Sequence, residues 1–191
     1  TFTVLKNDGT GLFNVIQTVA LGFSFGPIAL GDLDGDGDLD LVAAGAASTT
    51  KEVQVFLNTG GHFSWSRDYA VAGVPSSLVL AQLDGDGKLD VAVAANDDKS
   101  VSILWNTGTG VLSAPLRLPT LSLAPGRLVD GDVDGDGRID LLTAHGMNGV
   151  ASLFANQGGR SFAPVRDVAT GAWTSTLALG DMDQDGDLDL V

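Results

Sequence analysis

A nine-residue motif, present four times, constrains this chain more than any other feature of its sequence. It reads Asp32-Leu33-Asp34-Gly35-Asp36-Gly37-Asp38-Leu39-Asp40 and returns as Gln82–Asp90, Asp132–Asp140 and Asp181–Asp189. Side-chain oxygens fall on positions 1, 3, 5 and 9. These are Asp32, Asp34, Asp36 and Asp40, then Gln82, Asp84, Asp86 and Asp90. The later copies offer Asp132, Asp134, Asp136 and Asp140, then Asp181, Asp183, Asp185 and Asp189. Position 7, held by Asp38, Lys88, Arg138 and Asp187, lends its backbone carbonyl. Like charges at this density repel strongly unless a divalent ion sits among them. Position 6 is always glycine (Gly37, Gly87, Gly137, Gly186), where the sharp turn of a calcium loop needs positive φ. The pattern reads as up to four Ca²⁺ sites, one per loop.

The apolar residues at positions 2 and 8 are expected to anchor each loop to a core: Leu33 and Leu39, Leu83 and Leu89, Val133 and Ile139, Met182 and Leu188. An EF-hand would need a bidentate Glu at position 12 and a helix on each side. Position 12 is instead Ala43, Val93 or Thr143, and the flanks are short apolar runs punctuated by glycine, which read as strands. A solvated acidic turn accounts for one copy but does not place acids in one frame four times. The loops differ among themselves. Gln82 is neutral and Lys88 is positive, and ligand charge tunes calcium affinity, so the second loop is expected to be the weakest. Gln184 at position 4 is expected to alter its turn without removing a ligand.

Most of the 24 acidic residues lie in these loops, so the formal charge of −14 reports metal binding. Four divalent ions would cancel more than half of it. No basic stripe exists to meet phosphates, which argues against a nucleic-acid partner. There is no cysteine to staple the fold, and calcium can take over that role. Loops of this kind usually work near millimolar Ca²⁺, which favours a secreted or cell-surface setting. No run is long enough to span a membrane.

The motif starts at 32, 82, 132 and 181, which sets a period of roughly fifty residues, typical of repeat folds and propeller blades. Each unit opens with a short apolar strand such as Pro27-Ile28-Ala29-Leu30 and runs into the loop. A second strand leaves it (Leu39 to Ala44, Leu89 to Ala94, Ile139 to Ala144), rich in valine and alanine as suits burial on both faces. A third strand alternates, with Val53, Val55 and Leu57, or Val101, Ile103 and Trp105, or Ala151, Leu153 and Ala155, on one face. It ends in Asn-x-Gly at Asn58, Asn106 and Asn156, a hairpin signal. The fourth strand contains Phe63, Leu112 or Phe162. The expectation is an all-β propeller of four-stranded antiparallel blades in a single region, 1–191. Its units are 1–22 plus 174–191, 23–73, 74–123 and 124–173. The chain begins and stops in mid-strand, so it reads as an arc of a larger ring. The alternative is a closed four-bladed ring with one blade shared by both termini.

The loops, the Asn-x-Gly hairpins and the period resemble the FG-GAP or VCBS repeats, as in the calcium-binding propeller of integrin α subunits. A Phe-Gly pair occurs at Phe25-Gly26. The resemblance implies rings commonly of about seven blades, with the metal loop joining the first two strands of a blade. It covers adhesion receptors, lectins and secreted polysaccharide-degrading enzymes alike, so the site has to decide the function.

Nothing in the chain nominates an active site. His62 and His145 have no Ser, Asp or Cys at a recurring catalytic spacing, and Tyr69 is the sole tyrosine. Recognition has better candidates: Trp173 and Trp65 could stack on sugar faces, whereas Trp105 is in phase with the core. Asp97 and Asp98 could hold a sugar or a basic partner. The leading expectation is an extracellular calcium-binding propeller that recognises carbohydrate or protein ligands. The alternatives are a propeller of a secreted polysaccharide-degrading enzyme and a structural scaffold.

Overall fold

The structure, a computed structural model, describes residues 1–24, 26–121, 123–146, 148–171 and 173–191. Among the described residues the regular elements are all strands, and no helix is long and apolar enough to cross a membrane. The chain opens with a hairpin of β1 (Phe2–Asn7) and β2 (Phe13–Val19). The first complete blade is an antiparallel meander of β3 (Ile28–Gly31), β4 (Asp40–Ala46), β5 (Lys51–Thr59) and β6 (His62–Ala70). The second repeats it with β7 (Pro75–Ala81), β8 (Asp90–Ala95), β9 (Ser100–Leu104) and β10 (Leu116–Pro119). In the third, β11 (Leu128–Gly131), β12 (Asp140–Ala144) and β13 (Val150–Phe154) are followed by a small hairpin, β14 (Asn156–Gly158) with β15 (Ser161–Phe162). The outer strand β16 (Arg166–Ala169) comes after it. A last pair, β17 (Leu179–Gly180) and β18 (Asp189–Leu190), ends the chain.

This is a partial β-propeller of four-stranded blades, as the periodicity predicts. The closed four-bladed alternative is not realised: the two end hairpins are separate two-stranded sheets, with β2 packed beside β6 and β17 beside β11. The fourth strand also differs from expectation in two blades. Leu112 makes only an isolated bridge to Asn106, and Phe162 lies in the small hairpin. Pro115 and Pro164 stand just after these residues and cannot donate to a ladder, so the outer strand resumes only beyond them, at Leu116 and Arg166.

The valine- and alanine-rich second strands are sandwiched between neighbouring blades, and their two faces go to different cores. Leu41 and Ala43 face the first hairpin, packing with Phe56, Phe2 and Phe63. Val42 and Ala44 face the second blade, joining Leu33, Val91 and Val93. Ala92 and Ala94 face the third blade with Leu83, Trp105, Leu141 and Phe154. A strand apolar on both faces is thus required by the stacking, at about 1.5–3 kcal/mol per large side chain buried.

Position 2 of the motif behaves as expected in the first two complete blades, where Leu33 and Leu83 are buried, and Val133 of the third is half-buried against its core. Position 8 anchors its loop to the core shared with the preceding blade, where Leu89 and Ile139 are partly buried. Leu89 reaches back to the first blade, where a Cβ on Gly31 would lie 2.6 Å from its Cδ1, and Leu188 does the same at Gly131. Leu39 has only the hairpin of β1 and β2 before it, offers its side chain to no such glycine, and is exposed. Met182, on the two-stranded unit, is exposed as well.

Hydrogen bonds repeat across the blade junctions too. The Asn106 amide donates to the Leu33 carbonyl at 2.8 Å, and the Asn156 amide donates to the Leu83 carbonyl at 2.7 Å, both spanning 73 residues. Each asparagine ties its own hairpin to the aspartate loop of the preceding blade. The Asn58 side-chain amide donates only to the Leu39 carbonyl of its own blade, at 3.0 Å. Asn156→Ala should therefore cost about 1–3 kcal/mol more than Asn58→Ala, because it leaves a buried carbonyl without its donor. Urea unfolding of the two variants measures this, and equal losses would remove the junction role.

Candidate metal centres

Each aspartate loop is shaped by its own carboxylates before any ion is considered. In the first, Asp32 Oδ1 accepts from the Gly35 N–H at 2.7 Å and Oδ2 from the Gly37 N–H at 3.1 Å. The third and fourth repeat this: Asp132 accepts from Gly135 and Gly137, and Asp181 from Gln184 and Gly186. The position-5 carboxylate accepts from the N–H of position 7 in all four loops. These Asx-type turns hold the side chains inward, toward one another. Position 6 adopts the left-handed backbone that the motif demands, with φ of 92°, 85°, 84° and 99° in order. Gln184 does not alter its turn as expected; it takes up the same left-handed conformation as the glycines it replaces, at φ 66°.

The result is a set of clustered oxygens. Carboxylate oxygens of Asp32, Asp34 and Asp36 lie within 4.8 Å of one another, as do those of Asp132, Asp134 and Asp136, and those of Asp181, Asp183 and Asp189. Several hard oxygens at this spacing suit a calcium-sized cation, whose ligands stand about 2.3–2.6 Å from the ion. The donor set fits the group: it is all oxygen, anionic and on a glycine-bent turn. Calcium bound there would neutralise the cluster and supply no redox chemistry. In the second loop the Gln82 amide, turned so that its oxygen faces the Gly87 N–H, accepts there at 2.8 Å, mimicking the Asp32 turn without its charge.

Position 9 does something that spacing alone does not reveal. Asp40, Asp90 and Asp140 are fully buried. One oxygen accepts from the N–H of position 2 and the other from the hairpin asparagine: Leu33 and Asn58 for Asp40, Leu83 and Asn106 for Asp90, Val133 and Asn156 for Asp140. This carboxylate ties the loop to the end of the third strand. Asp189 accepts from the Met182 N–H in the same way, and its carboxylate joins the cluster of Asp181 and Asp183.

Burial pushes Asp90 up to about 6 and raises Asp40 and Asp140, with the loop carboxylates adding to the effect. Position 7 splits by charge. Asp38 caps the hairpin through the Gly60 N–H at 2.7 Å, while Lys88 and Arg138 pair with Asp86 and Asp136.

The other candidates separate clearly. Trp105 is buried, as its phase predicts. Trp65 is 60% exposed on β6, its indole N–H bonded to Asp68, and Trp173 is 71% exposed with φ 68°. Asp97 pairs with Lys51 and accepts from the Val74 N–H, and Asp98 pairs with Arg117. The hydrogen-bonded Lys51 and Arg117 lower the pKa of Asp97 and Asp98 respectively, so these carboxylates serve the scaffold.

His62 lies exposed at the hairpin between β5 and β6. His145 is buried, with Nδ1 on the Ala124 carbonyl at 3.1 Å and Nε2 on Ser152 Oγ at 2.7 Å. Ser152 in turn donates to Asp167 at 2.7 Å. The serine is fully buried and stands between the other two rather than at an end, so this set has no nucleophile that a substrate could reach. Tyr69 accepts from the Leu112 N–H and is structural. Of the Phe25-Gly26 pair, Phe25 lies outside the described residues. A Cβ on Gly26 would stand 1.8 Å from the Ala44 carbonyl oxygen, so the close approach there requires glycine.

The FG-GAP-like repeat matches residues 32–93 and 132–191, well over half of the chain. The chain belongs to the FG-GAP-like repeat family. No curated protein sequence matches it significantly. Among solved structures, an Agrocybe aegerita lectin that recognises non-reducing terminal N-acetylglucosamine is 23% identical, with TM-score 0.60 over 88% of this chain and 46% of the lectin. A Photorhabdus luminescens Tc holotoxin pore is 22% identical, with TM-score 0.52 over 98% of this chain and 10% of its own. BBS1N, solved in complex with ARL6DN, is 15% identical, with TM-score 0.55 over 88% of this chain and 51% of its own. These likenesses establish the β-propeller fold, and the chain spans about half the length of the lectin and of BBS1N.

A pH dependence follows from the buried aspartates. A raised pKa means that the folded chain keeps a proton which the unfolded chain has lost, so protonation stabilises the fold. Without metal, stability should fall as pH rises from about 4 to about 6. Urea midpoints in EDTA across this range test it, and a rise would contradict the assignment.

Proposed function

We propose that this chain is part of an extracellular, calcium-binding recognition or adhesion module, in which Ca²⁺ is structural and the blades display surfaces for carbohydrate or protein ligands. One observation carries the calcium reading: three loops, at equivalent places in their units, each gather three carboxylates within 4.8 Å. Calcium there would bind the folded chain alone and so stabilise it.

Recognition is supported at the opposite end of the blades. Trp173 precedes β17, beside the bridge from Thr174 to Gly146 at the turn between β12 and β13, whereas the aspartate loops join the other ends of the first and second strands. It lines an open cavity of about 540 Å³ with Thr170, Thr174, Ser175 and Thr176, over an apolar floor that includes Val168 and Leu177. This volume is in the usual range for small-ligand sites, and an exposed indole among hydroxyls suits the C–H face and hydroxyl edge of a sugar. The lectin's fold likeness points the same way.

A glycan array that includes terminal N-acetylglucosamine tests the reading. Sugar binding should drop at least tenfold in Trp173→Ala, and Trp65→Ala reports whether the outer strand takes part. Binding unchanged in both variants would move the ligand surface elsewhere, and silence of the array together with a protein pull-down would remove the recognition role.

A further inference from the structure

The second loop departs from the other three in a way that its sequence alone does not explain. At positions 1, 3 and 5 it has two carboxylates, Asp84 and Asp86, where the others have three. Both are met by side-chain cations. Lys88 stands 3.2 Å from Asp86 and also donates to the Thr107 carbonyl at 2.9 Å. Arg160, from the hairpin of the next blade, places Nε 2.9 Å and Nη2 2.8 Å from Asp84 Oδ2. Asp84 is only 5% exposed, so the guanidinium covers an oxygen that a metal ion would need. Positions 1, 3, 5 and 7 of this loop plus Arg160 sum to no net charge.

The third loop serves as an internal control. Arg138 pairs with Asp136 there just as Lys88 pairs with Asp86, yet three carboxylates still converge. A cation at position 7 is therefore not what sets the second loop apart. Gln82 and Arg160 are.

The backbone under Arg160 supports this. Two residues before the Phe or Leu of each hairpin, the chain has Gly11, Gly61, Gly110 and Arg160, and all four are left-handed, with φ of 92°, 92°, 67° and 66°. Glycine adopts this conformation freely, whereas an arginine there is strained by roughly 1–2 kcal/mol. Its guanidinium also lies 5.4 Å from the centre of the buried Trp105 ring, a cation–π distance. The strained residue thus makes three contacts across the blade junction, two to Asp84 and one to Trp105, with the Asn156–Leu83 hydrogen bond alongside.

We propose that the second loop is a metal-free latch. Arg160 and Lys88 take the place that a cation holds in the first, third and fourth loops, so the junction of the second and third blades is held by an ion pair that needs no calcium. The proposal rests on the calcium reading only for those three other loops.

Calcium-saturated crystals of the chain, measured for anomalous scattering, resolve each loop separately. Ions are expected in the first, third and fourth loops and none in the second, and an ion in the second would overturn the latch while leaving the calcium reading intact. The latch is measured independently by Arg160→Gln, which keeps the strained backbone and removes the charge. Its melting temperature should fall by roughly 2–4 °C, and by the same amount in EDTA as in saturating calcium. No fall in EDTA, or a fall that calcium abolishes, would refute the latch even if every loop proved to be without metal and the calcium reading failed.

Discussion

Carboxylates crowded within 4.8 Å of one another impose the constraint on which this molecule turns. Two unit charges 4 Å apart repel by about 4 kcal/mol at the effective dielectric of a protein surface. The chain draws them together nonetheless, with glycine-bent turns and backbone N–H donors that hold the carboxylates of positions 1 and 5. A fold that invests in such repulsion needs opposite charge at the same place. Three loops leave a gap suited to a divalent ion, and the second meets its two carboxylates with Lys88 and Arg160.

The blades depend on these turns because the turns are also their joints. Buried Asp40, Asp90 and Asp140 bind the loop to the third strand, and Asn106 and Asn156 carry the link on to the preceding blade. Loop, hairpin and neighbouring loop therefore form one hydrogen-bonded chain along the edge of the arc. Beneath it, strands such as β4 and β8 divide their two apolar faces between adjacent cores, so each sheet is completed by its neighbours. Stability in such a repeat fold accrues at junctions, which is where the charges and their partners are placed.

Much of this was legible in the sequence, because the signals are local. The motif frame foretold the left-handed glycines and the strand pairing, three of the four loops it marked gather carboxylates, and the alternation of Val101, Ile103 and Trp105 put that tryptophan in the core. What escaped it acts over distance or through a neighbour. The partner of Asn156 is 73 residues away, and that of Arg160 is 76 residues away. Leu39 matches Leu89 in sequence but lacks a blade to pack against. Pro115 and Pro164 were visible, yet their consequence for the outer strands depends on which N–H groups the ladder needs. Arg160 did leave one trace, an arginine where three other hairpins have glycine, and aligning the hairpins as closely as the loops would have exposed it.

Thermal unfolding of the chain with and without calcium tests the central claim most directly. At calcium well above its dissociation constant, each occupied loop adds about 2.7 kcal/mol at a hundredfold excess. The melting temperature should accordingly rise by several degrees over its value in EDTA, with little change when magnesium replaces calcium. Coincident melting curves in calcium and EDTA would show that the aspartate clusters hold no stabilising ion and would contradict the account.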